Sequence, residues 1–137
     1  MNTRATWIRP LDLGKLLESV LTLLEGNAVV VLEGHLRQFD FPAPLRCSLP
    51  DGLGPETPHG EERMALRLAP GSALLIHRAI VEDPDWVQKI SGMQVLVDGQ
   101  RVFLVGDNFH EECISVWPAA PASLAAQLVA QGVADFL

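Results

Sequence analysis

Lysine is nearly absent from this chain: Lys15 and Lys89 are the only two among 137 residues. Neither belongs to a glycine-rich loop of the kind that cradles phosphates, which excludes that class of nucleotide site. Gly52-Leu53-Gly54 offers two glycines of a dinucleotide loop, but a proline follows and no third glycine comes at the right offset. No serine stands between glycines at the spacing of a hydrolase elbow, and neither Cys47 nor Cys113 sits in a nucleophile motif. With only two cysteines, far apart, and no signal peptide, two reduced thiols are expected. Long apolar runs are missing too. Those at 28–32 and 72–76 are far too short to cross a bilayer. Arg9 and Pro10 interrupt the N-terminus where a secretory signal needs its apolar region, and no asparagine glycosylation acceptor occurs. A cytoplasmic location with no membrane contact is expected.

Apolar residues make up 48% of the sequence and charged residues 20%, a balance that favours a packed core over disorder. A chain of this length can bury roughly two thirds of its unfolded surface without a disulfide or metal staple. Seventeen acidic residues against ten basic ones leave a net charge of -7. Much of the excess lies between Glu82 and Glu112, where seven acids face two bases, Lys89 and Arg101. Such a surface repels phosphate backbones and excludes direct nucleic-acid binding. It attracts a basic protein partner, although a solvated acidic face serving solubility has the same composition.

Apolar positions at Leu13, Leu16, Leu17, Val20, Leu21 and Leu24 follow the three-and-four spacing of a one-faced helix, closed by Gly26-Asn27. Residues 28–33 read as a strand covered on both sides, and His35 to Phe41 as a second strand with Leu36 and Phe39 buried. Five prolines and three glycines between Pro42 and Gly60 predict a long loop. Met64, Leu66 and Leu68 alternate as in a half-buried strand; Pro70-Gly71 turns the chain, and Ala73 to Val81 reads as its partner strand. Asp98-Gly99 between alternating apolar runs predicts a two-residue hairpin whose strands carry Val95, Val97, Val102 and Leu104. A short strand over Cys113 to Trp117 and a helix from Ala122 to about Gln131 complete the pattern. The order lacks strand–helix alternation. It predicts a single α+β domain over residues 1–137: an antiparallel sheet of about five to six strands with an N-terminal and a C-terminal helix.

The densest polar group is Asp107, Asn108, His110, Glu111, Glu112 and Cys113. Asp107, His110 and Cys113 are of metal-ligand type, but their spacing fits no established pattern. Turn chemistry with Phe109 plugging the core beneath is the stronger reading, and no metal or other cofactor is expected. His77, inside an apolar run, would need a carboxylate such as Glu33 or Asp107 to serve as a general base. Trp7 and Trp117 read as closing the edge of a core, whereas Trp86 lies among acids and resembles an interface anchor.

Two functions follow. The first is a small acidic cytoplasmic protein-binding module, such as an inhibitor or immunity-type protein, docking on a basic partner through Asp83, Asp85, Trp86, Glu111 and Glu112. The alternative is a small enzyme or metal-binding protein using His77, His110 and nearby carboxylates. Of the two, binding without catalysis fits the missing motifs better. A C-terminal seam of Leu124, Val129, Val133 and Phe136 would allow a homodimer.

Overall fold

Asp12 opens the first helix by accepting a hydrogen bond from the Lys15 backbone N–H at 3.0 Å, which satisfies one of the donors that a helix start leaves free. The computed structural model describes residues 4–53, 57 and 60–137. Gly54, Pro55, Glu56, Pro58 and His59 of the expected long loop lie outside the described residues. The helix, α1 (Leu13–Leu24), buries Leu16, Leu17, Val20, Leu21 and Leu24, as its spacing dictates. It follows a strand, β1 (Thr6–Pro10), and leads into β2 (Ala28–Gly34). Next come β3 (Arg46–Cys47), β4 (Glu62–Leu68), α2 (Ala73–Val81), the single turn α3 (Trp86–Lys89) and β5 (Ile90–Val97). The chain ends with β6 (Gln100–Val105), β7 (Ile114–Val116), α4 (Leu124–Ala130) and β8 (Ala134–Phe136).

All strand pairs are antiparallel, and they form one sheet in the order β3-β4-β2-β5-β6-β7-β1-β8. The α+β class and the terminal helices match expectation, but five to six strands undercounts the eight found among the described residues. The missed strands are β1, β3 and β8. Each has five residues or fewer, and β1 and β8 pair with segments about a hundred residues away.

Ala73–Val81 is a helix, not a strand. Ala73, Ile76 and Ile80 recur at helical intervals and are its buried positions. The buried Ser72 hydroxyl donates to the Ala69 carbonyl at 2.7 Å, which fixes the entry turn. His35 to Phe41 is likewise no strand. It is a loop whose Leu36, Phe39 and Phe41 plug the core, with Phe39 and Phe41 stacked 6.0 Å apart.

The Asp98-Gly99 hairpin forms as expected: both residues have positive φ, and Val97 pairs with Gln100. Its alternation, however, is broken. The register shifts between Val95 and Leu96, so that Val95 faces Phe103 while Leu96 faces Arg101. Val102 is the extra residue of a β-bulge, and both Val102 and Phe103 enter the core. Leu104 therefore does not share a face with Val102.

The helices cover only one side of the sheet. Residues of the main core on β2, β4, β5, β6 and β7 all belong to that side, together with Ile8. The other side carries a small cluster of Val31, Ala65 and Leu96, with Leu53 of the long loop packed against it. No helix of the described chain is long and apolar enough to cross a membrane.

Candidate functional site: an acidic cleft around Lys89

Gly34 decides how the end of the sheet is built. Its φ is +139°, and a Cβ there would lie 2.1 Å from the Lys89 carbonyl oxygen. Only glycine lets the end of β2 approach the start of β5 so closely, at a point where the register also shifts. The His35 N–H then donates to the Lys89 carbonyl at 2.8 Å, and the loop that follows lies over α3.

The consequence is that Lys89 sits between two segments. Its ammonium donates to the Gln38 side-chain carbonyl and to the Asp83 carboxylate. Asp83 lies just beyond α2, where its other carboxylate oxygen accepts from the Asp85 N–H at 2.8 Å. The Lys89 bond first, and the Asp85 N–H second, hold the Asp83 carboxyl below its ordinary pKa of 3.8.

Two clefts flank Lys89. One, of about 450 Å³, is lined by His35, Arg37, Gln38, Gly60, Glu62 and Lys89. The other, of about 490 Å³, lies between Gln38–Asp40, the end of α2 and the turn Asp83–Asp85. Four carboxylates line this second cleft (Asp40, Glu82, Asp83 and Asp85), and among the described residues Lys89 is its one cation. Phe39 and Ala79 supply apolar surface. The arrangement favours a positively charged group.

Among the residues expected to form a docking face, Asp83 and Asp85 line this cleft, whereas Glu111 and Glu112 are exposed on a turn and do not line it. Trp86, which resembles an interface anchor in sequence, is instead buried. It is 9% exposed and packs edge-on against Phe109, with ring centroids 5.0 Å apart. A tryptophan in a single helical turn can point either way. Here the left-handed turn Asp107–Phe109 fastens to α3 through the Asn108 amide, which donates to the carbonyls of Val87 and Gln88 at 3.1 Å each, and Phe109 takes the indole. Asp40, Glu82, Gln38 and Lys89 were missed. Glu82 and Lys89 were visible only as members of a charge run, and Asp40 reaches the cleft from a loop that no local pattern connects to α2.

The other candidates disperse. His77 Nε2 lies 2.9 Å from the Gly14 carbonyl oxygen and so bridges α2 to α1; Glu33, one proposed partner, is paired with Arg63 at 3.2 Å. His110 Nδ1 accepts from the Glu112 N–H at 3.1 Å within its own turn. Among the described residues no three histidine, cysteine, aspartate or glutamate side chains converge as a metal site would require, and Asp107, His110 and Cys113 are no exception. In the C-terminal seam Leu124 and Val133 are buried in the core, which leaves Phe136, at 52% exposure, as the main exposed member. Comparison of the chain with protein-family models, with curated proteins and with solved structures finds no match.

Proposed function

We propose that the chain is a cytoplasmic protein-binding module that docks on a basic partner, as an inhibitor or immunity-type protein does. The cleft beside Lys89 receives a lysine or arginine side chain of that partner. One observation carries this reading: four carboxylates line a cleft in which Lys89, the single cation among the described residues, is already bonded to one of them. An incoming cation meets Asp40, Glu82 and Asp85 without having to displace Lys89. Apolar surface from Phe39 and Ala79 suits the methylene stem of a long basic side chain. The anchor is then the partner's cation rather than Trp86, and Glu111 and Glu112 act at a distance by steering.

A peptide of alternating lysine and alanine, compared with its acetyl-lysine counterpart, tests the proposal. Binding of the lysine peptide should shift the backbone amide resonances of residues 38–40 and 82–89, and the acetylated peptide should leave them in place. Charges are screened over about 8 Å at physiological salt, so affinity should fall as salt rises. Asp40→Asn combined with Glu82→Gln and Asp85→Asn should abolish the shifts, and should also release partners captured from native lysate by the parent protein. Equal binding of the two peptides, or affinity indifferent to both salt and the triple substitution, refutes the reading.

A further inference from the structure

The strands present a row of arginines on the side of the sheet without helices. Register places Arg67 beside Val29, Val29 beside Leu96, and Leu96 beside Arg101 in one row across four strands. Arg9 and Arg63 stand on the same side, each paired with a carboxylate there: Asp135 at 3.6 Å and Glu33 at 3.2 Å. Among the described strand residues four arginines thus stand with two carboxylates on this side, in a chain whose net charge is -7. Both of those carboxylates are already neutralised.

Arg101 reaches this side because of the bulge. Were Val102 paired regularly rather than bulged, alternation from Phe103 would turn Val102 to this side and Arg101 into the core. Once there, its side chain is held on two sides. Its Nε donates to Gln94 Oε1 at 3.2 Å, and Gln94 is only 6% exposed. Its guanidinium lies 4.9 Å from the centre of the Trp117 ring. Trp117 is itself pinned, because its Nε1–H donates to the hydroxyl of the fully buried Ser115 at 3.1 Å. Bonding through Nε leaves the two terminal NH₂ groups, and among the described residues no carboxylate pairs with them. Leu104 and Trp7 flank the position: Leu104 pairs across from both Gln94 and Ser115, and Trp7, 48% exposed, pairs across from Ser115.

The geometry points to a carboxylate-binding site at Arg101, one that takes a peptide carboxylate flanked by apolar side chains. A fork of two NH₂ groups held flat by a ring and an amide matches a carboxylate in bidentate geometry, with little side-chain freedom left to lose. The apolar flanks match peptide side chains. A polyanion is disfavoured, because the rest of the molecule repels it. This site lies at the hairpin end of β5, on the face away from the helices, whereas Lys89 precedes the other end of that strand. It does not depend on the acidic cleft.

The test follows the indole N–H resonances of the three tryptophans during titration with three acetylated tripeptides. Leu-Glu-Leu amide offers a side-chain carboxylate, Leu-Ala-Leu with a free C-terminus offers a terminal one, and Leu-Ala-Leu amide offers none. We expect saturable movement of the Trp117 resonance with at least one of the first two, a still Trp86 resonance, and no movement with the third. Which of the two carboxylate peptides binds identifies the source. Arg101→Met keeps the apolar stem and should weaken binding about ten- to hundredfold, the range of a charge-assisted pair. The Trp86 resonance reports whether that variant keeps its core. Equal movement with the neutral peptide, no saturation with either carboxylate peptide, or full affinity in a folded Arg101→Met protein each overturns the assignment.

Discussion

Gly34 and Lys89 meet backbone to backbone, with room for no Cβ between them: one built on Gly34 falls 2.1 Å from the Lys89 carbonyl oxygen. Gly34→Ala therefore combines a backbone conformation that L-residues avoid with a clash against main chain rather than a movable side chain. Strain of the first kind costs about 1–3 kcal/mol and overpacking a similar amount, so a loss of about 3 kcal/mol or more is expected in urea denaturation. The amide resonances of residues 35–40 should move as well, because that loop starts at the contact.

Asp83 supplies a pH signature. Its folded pKa lies below the ordinary 3.8, so its contribution to stability is fully present above that value and is lost as pH falls through the folded pKa. Asp83→Asn removes the charge that Lys89 requires. The variant should be less stable than the parent at neutral pH, and the gap should close as pH falls below about 3.8. Urea midpoints measured across the acid range check this; a gap that does not change with pH rules it out.

Trp86→Ala separates a core residue from an interface anchor. The indole fills space against Phe109 at 9% exposure, and removal of a buried aromatic costs about 3–5 kcal/mol. A large drop in thermal midpoint is expected, with Phe109→Ala showing a comparable one. An unchanged midpoint would place the ring outside the core.

The parts of the fold legible in the sequence are those in which one local signal decides. Six apolar positions at helical spacing define α1, and two residues that tolerate positive φ define the hairpin tip. Ala73–Val81 misleads because a short apolar run containing Ile76, Ile80 and Val81 satisfies strand composition. The deciding fact, burial of Ala73, Ile76 and Ile80 on one side, needs the packing partner. Trp7 and Trp117 carry no periodic signal of the helix-free face on which they lie. The bulge at Val102 is equally silent: it shows only as a register shift between paired strands, yet it decides the direction of Arg101. In the cleft, charge identified Asp83 and Asp85, but only the fold brings Asp40 to them.

Asn108 offers the sharpest single-atom test. It stands in the left-handed region at φ 53°, and its amide nitrogen lies 3.1 Å from the carbonyl oxygens of Val87 and Gln88 and 3.4 Å from that of Ile90. Aspartate has the same shape and also tolerates this backbone conformation. Asn108→Asp thus changes little except to replace a donor by an anion facing three acceptors. Loss of the bonds alone costs about 1–3 kcal/mol, and the exposed position places the expected value towards the lower end. Carbonyl dipoles disfavour the charged carboxyl, so its folded pKa should rise above the unfolded value. For a carboxyl raised on folding, destabilisation is greatest above the folded pKa and diminishes as pH falls through it. Asn108→Asp should therefore regain part of its lost stability in mild acid, while Asn108→Ala, which has no titrating group, should not. A variant aspartate that destabilises equally at all pH values would mean that the carboxylate has turned away to solvent and that the amide does not hold the 107–109 turn to α3.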